Sequence, residues 1–283
     1  MKTILRTNYV FGPIKSRRLG SSLGINVLPI ERKICNFNCI YCECGWNSNE
    51  INNSAINTDE RSVTNVPPDL LSFPKKELIK EELESALINI KNNSIMLDVI
   101  TFSGNGEPTL HPQFAEIIDD TIELKNKFMP HIQIAVLSNA TNLGNDKIVN
   151  ALKKIDKPIL KLDSTNINTL EKMNMYSINN RQKDGLQRIT IEKIIEGMKK
   201  FEGNFIFQSM FLRGKIDDII IDNTTESEIM GLIEVMKETN PKQVMIYPID
   251  RIPPAKNLFK LDNDEMEKIA NAIENNGLNV FYV

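Results

Sequence analysis

Cysteine is almost absent from this 283-residue chain, and where it occurs it is crowded: Cys35, Cys39, Cys42 and Cys44 all fall in "CNFNCIYCEC". A disulfide framework spreads its cysteines so that bridges close sizeable loops, whereas pairing inside ten residues would close almost nothing, so that role is disfavoured. Histidine is scarce as well, with only His111 and His131. The second ligand pair that a structural zinc site draws from a separate stretch is therefore missing. No apolar run reaches bilayer length, and no membrane contact is expected. The opening "MKTILRTNYVFGPIKSRRLG" lacks the unbroken apolar region and small-residue cleavage site of a secretory signal, so a cytoplasmic location is expected. Basic charge is not in excess either: the net charge is −3 and the pI ≈ 5.6. That excludes a chain-wide basic footprint for nucleic acid and leaves room only for a local patch.

What is present is thiol at the spacing Cys35-x3-Cys39-x2-Cys42. Three thiolates on one loop can hold three irons of a cubane cluster and leave the fourth without a protein ligand there. An open iron is a place to bind and activate a substrate or cofactor, whereas four protein thiolates normally leave only electron transfer. Cys44 stands outside that count, as a bystander thiol or a donor on the substrate side. Read alone, the cysteines also admit an iron-sulfur or zinc binding module without catalysis.

The rest of the chain alternates. The runs 23–30, 94–104, 132–140, 158–164, 204–211 and 243–250 read as strands buried on both faces, rich in Val, Ile and Leu. Between and after them, 75–93, 111–129, 145–155, 190–201, 226–239 and about 262–275 carry helical periodicity, with Ile79, Leu83, Ala86, Leu87 and Ile90 on one stripe of the first. Pro112 suits a first-turn position in the second. Six such units predict an α/β fold, an open parallel (βα)6 partial TIM barrel with right-handed crossovers, as one domain over 1–283. The Asn-rich stretch 47–69 interrupts the alternation and is expected to be an inserted loop over the barrel mouth or plain solvated decoration.

Barrels of this kind keep their chemistry at the C-terminal ends of the strands. The second strand ends in "SGNGEPTLHP", where Gly104 and Gly106 permit close backbone approach and Glu107 sets a carboxylate at the mouth. Ser138 and Asn139 end the third strand, and Lys161, Asp163 and Ser164 the fourth. Gln208 and Ser209 lie on the fifth, and Tyr247, Asp250 and Arg251 close the sixth. For Ser, Asn and Asp at these ends, helix capping competes with cofactor contact. Arg17 and Arg18, beside the first strand, and Arg251 are candidates for an anionic substrate, or a solvated turn in the case of "KSRRLG".

The cysteine spacing, with Tyr41 just before the third thiol, resembles the signature of the radical S-adenosylmethionine (SAM) superfamily, and "SGNGEP" resembles its "GGEP" motif lengthened by Asn105. Together with "FGPIKSRRLGSSLGINVLP", "LKLDS", "FQSMFLRG" and "IYPIDRIPPA", these segments are similar to the branch of wyosine-synthase-related Fe-S oxidoreductases over nearly the whole chain. The resemblance implies a 4Fe-4S cluster on Cys35, Cys39 and Cys42, and SAM held by Gly104, Gly106 and Glu107. Tyr41 would lie against the adenine, and Ser138, Asn139, Asp163, Ser164 and Gln208 would complete the cofactor wall. It further implies reductive cleavage of SAM to a 5′-deoxyadenosyl radical that abstracts hydrogen from a nucleoside or small metabolite. An external electron donor of flavodoxin or ferredoxin type would supply the electron. An activase that places a radical on a glycine of a partner enzyme is the alternative. The tRNA-modifying members resemble a barrel with further cysteines upstream, and this chain has none before Cys35; tRNA is thus a partner to which neither that feature nor the net charge points.

Overall fold

The computed structural model describes residues 4–47, 73–174, 190–216 and 218–283. The expected inserted loop lies, from residue 48 onward, outside the described residues.

An eight-stranded sheet is the backbone of the fold, and its first two strands form an antiparallel hairpin, β1 (Val10–Ser16) and β2 (Gly20–Ile25). From β2 onward every neighbouring pair is parallel: β3 (Val99–Phe102), β4 (Gln133–Ser138), β5 (Lys157–Lys161), β6 (Ile206–Phe211), β9 (Gln243–Pro248) and β11 (Val280–Tyr282). This sheet curls into a half-barrel. The inner strands β3, β4, β5, β6 and β9 are mostly buried, all four residues of β3 included, because helices cover one face and the lumen the other. The helices are α1 (Lys76–Asn92), α2 (Phe114–Phe128), α3 (Asp146–Lys153), α4 (Ile167–Asn174), α5 (Ile191–Lys199), α6 (Glu226–Thr239) and α7 (Asn263–Glu274).

Helix α1 buries Ile79, Leu83, Leu87 and Ile90, a single stripe facing the sheet. Side chains fix several helix starts: Asn145, Thr190 and Thr225 accept first-turn N–H groups, and Asp262 with Glu265 forms a capping box on α7. Alternation along the strands then divides the interior. Ile100, Phe102, Val136, Leu160 and Phe207 point to the helices and join the main core. Val99, Ala135, Ile159, Ile206 and Met245 point inward as a separate apolar floor of the lumen, with Leu19 packed on it. One alternate position farther along the strands stand Thr101, Leu137, Lys161, Gln208 and Tyr247, so the lumen turns polar toward its mouth.

The expected barrel is thus present, with differences that have local causes. The first strand, expected over 23–30, ends at Ile25 because the Asn26 side chain bonds both the N–H and the carbonyl of Leu28. Helix α2 begins at Phe114 rather than 111, and Pro112 precedes it. A 3-10 turn at Pro108–Leu110, capped by Glu107, stands ahead of it. The antiparallel strand β1, helix α4 and strand β11 were not foreseen. Nor was a second sheet of β7 (Arg213–Ile216), β8 (Ile219–Asp222) and β10 (Leu258–Phe259).

Candidate functional site

The cysteine loop leaves the top of β2 and has no strand of its own; its neighbours hold its backbone. The turn after β3 is stitched to it at Ile34, whose N–H donates to the Asn105 carbonyl (2.8 Å) and whose carbonyl accepts from the Glu107 N–H (3.0 Å). Glycine is required in that stitch: Gly106 has φ +138°, and a Cβ there would lie 1.7 Å from the Ile34 carbonyl oxygen. The fully buried Asn105 ties the turn to the chain on either side, its side chain bonding Arg6 and the Pro29 carbonyl. From β4, Asn139 donates to the Asn36 side chain (2.6 Å), and Asn36 in turn donates to Thr141. From α4, the carbonyls of Met173 and Asn174 accept the N–H groups of Ile40 and Asn38.

The four cysteines are free thiols. Desolvation pushes the Cys35 thiol up to about 12 and raises that of Cys39. Cys42 is held well below the usual thiol range, first by a hydrogen bond from Cys44 and then by the Lys33 ammonium. Cys44 is raised correspondingly, and its Sγ lies 3.1 Å from the Gly104 carbonyl. Lys33 is buried and donates to the Gly45 carbonyl (2.8 Å). Burial presses its pKa down, but the neighbouring sulfurs of Cys42, Cys35 and Cys39 outweigh that and raise it. One ammonium therefore lies within electrostatic reach of all three sulfurs and bonds that of Cys42. Sequence pattern did not single out Lys33, because a lysine two residues ahead of a cysteine carries no periodic signal.

Glu107, expected to take an ammonium group, accepts hydrogen bonds from three protein residues. One carboxylate oxygen accepts from the Thr109 N–H, the Thr109 hydroxyl and Ser138 Oγ (2.9 Å), and the other from the Asn139 N–H (2.7 Å). Its carboxylate joins the β3 turn to the β4 end, and both Ser138 and Asn139 are organised through it.

On the other side of the loop, Asp163 is the hub. It accepts from the Tyr41 hydroxyl, from Lys161 Nζ, from Asn174 Nδ2 (3.1 Å) and from the Met210 N–H (3.0 Å). Asn174 Nδ2 also reaches Cys39 Sγ at 3.2 Å. The Tyr41 ring, expected against an adenine, packs with Ile40, Met173 and Met210, and Lys161 Nζ sits 4.7 Å from its centroid. Its phenol is raised by burial and then by the Asp163 charge. Ser164, expected in the cofactor wall, donates to Glu228 on α6 (2.6 Å). Gln208 faces the lumen, its amide nitrogen 3.5 Å from the Met245 sulfur. Asn174 escaped the sequence reading because its partners lie as many as 135 residues away.

These residues fit an iron-sulfur cluster. Beside the nearby Lys33 ammonium, N–H groups of Phe37 and Asn174 already aim at Cys35 and Cys39 sulfur, and such hydrogen bonds tune cluster thiolates. Among the described residues no three His, Cys, Asp or Glu side chains are set around a single ion, whereas a cubane takes its thiolates on separate irons.

Residues 33–236 match the family model of the radical SAM superfamily. With more than half of its length matched, this chain, a half-barrel with three thiols at its mouth, belongs to that superfamily. Its members are enzymes that use SAM and a 4Fe-4S cluster, so SAM-dependent radical chemistry is the reaction class. Among curated relatives, the UPF0026 protein of Helicobacter pylori (strain J99) is 31% identical over 266 residues, 92% of this chain and 71% of its own length. GTPase Obg of Brachyspira hyodysenteriae is 28% identical over 279 residues, and the chain, 97% matched, spans 35% of that protein. A radical SAM methyltransferase from Sphaerobacter thermophilus shares the fold, with a TM-score of 0.61 at 12% identity over 93% of this chain and 65% of its own.

Proposed function

We propose that this protein reductively cleaves SAM at a 4Fe-4S cluster and uses the resulting radical for hydrogen abstraction from a nucleoside or small metabolite. The placement of Cys35, Cys39 and Cys42 together on one loop locked to the mouth of the half-barrel, with the Lys33 ammonium beside them, carries this reading. Those three thiols would hold the cluster, and Gly104, Gly106, Ser138 and Asn139 would line the SAM site. When bound, cluster and SAM supply the electron and the 5′-deoxyadenosyl radical; the chain supplies position. The Glu107 carboxylate keeps the β3 turn and the β4 end in register at the mouth. Asp163 and Lys161 hold Tyr41 and Asn174 beneath the loop, and Asn174 donates to Cys39. Lys33 neutralises thiolate charge where water is excluded. We further propose a single domain with an inserted segment, a cytoplasmic location, and an external donor of flavodoxin or ferredoxin type. The described residues contain no helix long and apolar enough to cross a membrane.

Anaerobic reconstitution followed by dithionite and SAM tests the reading. Formation of 5′-deoxyadenosine is expected, and none from a properly loaded cluster would refute it. Alanine at Cys35, Cys39 or Cys42 should each abolish iron binding.

A further inference from the structure

The hairpin turn between β1 and β2 does something its sequence does not advertise. Instead of standing in solvent it folds into the open side of the half-barrel. Leu19 packs on the lumen floor, the Arg18 guanidinium lies 4.5 Å over the Tyr247 ring on β9, and Arg17 pairs with Asp250 just past β9 (2.9 Å). A cavity of ≈ 420 Å³ results, bounded by this turn, by Thr101 and Ser103 of the β3 segment, and by Gly104 and Cys44 of the cysteine site. Its cations are unequally occupied. Arg17 is spent on Asp250 and Arg251 on Glu43 (2.8 Å). Arg18 and Arg6 have no carboxylate partner among the described residues; each lies over an aromatic ring, Tyr247 and Phe11. Stacking of that kind fixes a guanidinium plane and leaves its N–H fork free for an oxyanion.

We infer that this cavity binds an anionic group of the substrate, a phosphate or carboxylate, with Arg18 as the principal donor and Arg6 as the second. This rests on the proposed radical reaction only for calling the ligand a substrate. The volume sits at the lower end of the range for small-molecule sites, about 300–1,000 Å³, so the fit is to a phosphorylated or carboxylated metabolite, or a mononucleotide. An anion held at Arg18 would leave the rest of the molecule to extend toward Cys44 and Gly104, on the cysteine side of the same cavity. The chain as a whole is acidic, with net charge −3, so these two unpaired guanidiniums are a local device.

Calorimetric titration of the anaerobic, cluster-loaded protein, SAM present, tests this with inorganic phosphate in one arm and malonate in the other. Saturable binding of phosphate identifies a phosphoryl substrate, and of malonate a carboxylate. Arg18→Gln should weaken the bound probe by about tenfold or more, with Arg18→Lys recovering only part because a compact ammonium cannot make the bidentate contact. Ser103→Leu, which fills the cavity, should abolish binding without touching either arginine, and serves should Arg18→Gln fail to fold. Absence of saturable binding of both probes at millimolar concentration overturns the inference. So does an Arg18→Gln variant that loses SAM affinity as much as probe affinity, since the site would then be the cofactor's. Measuring 5′-deoxyadenosine on the same wild-type preparation separates the two readings. Its formation without probe binding removes the anion site alone; probe binding without its formation removes the radical reading alone.

Discussion

The two flanks of the cysteine loop are held by different chemistry. Toward β3 and β4 the bonds are backbone amides, asparagines and hydroxyls, with Glu107 as the only charge, and they fix the path of the loop. Toward β5 and α4 the support is a buried ion pair, Lys161 with Asp163, threaded through Tyr41 and Asn174 to Cys39. Neutral bonds share load and each is worth about 1 kcal/mol net. A buried charge pair is different, because removing one member strands the other.

Breaking the ionic flank should therefore cost most. Asp163→Ala leaves Lys161 buried without its counter-charge, and a loss of about 3–5 kcal/mol is expected in chemical denaturation. Asp163→Asn, whose amide oxygen can still accept the Met210 N–H, should be milder. On the neutral flank the largest single effect is expected at Gly106, where alanine forces its Cβ into the Ile34 carbonyl. A cost of about 2 kcal/mol should appear in melting, with reduced iron uptake because the loop must move. Glu107→Gln retains the shape but turns an acceptor into a donor facing Thr109, Ser138 or Asn139, for about 1–2 kcal/mol.

A residue outside both flanks sharpens the comparison by isolating pH. His111, at the entry to α2, accepts the Gln113 N–H at Nδ1 and donates to the Pro74 carbonyl from Nε2, so the ring is neutral. Burial lowers its pKa from the ordinary 6.5. Between that value and the depressed folded one the unfolded chain binds the extra proton, so stability falls as pH drops through the window, by at most about 1.4 kcal/mol per pH unit. His111→Gln should flatten that slope in melting curves recorded from neutral to mildly acidic pH. Smallest of all should be Cys44→Ala, which loses only the weak thiol contacts to Gly104 and Cys42: iron content is expected to stay that of the wild type, and its loss would show that Cys44 ligates.

The sequence made the barrel legible because long buried strands and an amphipathic helix such as α1 carry periodic signal. The two-residue β10, the four-residue β7 and β8 and the three-residue β11 are too short to show any period. Within the site, the thiol spacing and the "SGNGEP" turn were readable, since both are local. Lys33, Asn174 and Asn105 were not, because each acquires meaning only from partners brought in by the fold. Glu107 and Tyr41 were singled out by motif, but not the protein groups they bond: Thr109, Ser138 and Asn139 for the one, Asp163, Lys161 and Asn174 for the other. A carboxylate or phenol announces that it will bond, but not to whom.

The stitch at Ile34 bears on how this centre can be moved between proteins. The ten residues that hold the thiols are a cargo without a frame. Transplanted alone onto another barrel, they would bring the sulfurs but not their geometry. A portable version would have to carry Asn26, Asn105 to Glu107, Asn139 to Thr141 and Asn174 as well, a set scattered across four segments. The working unit of inheritance here is a patch of surface, not a stretch of chain.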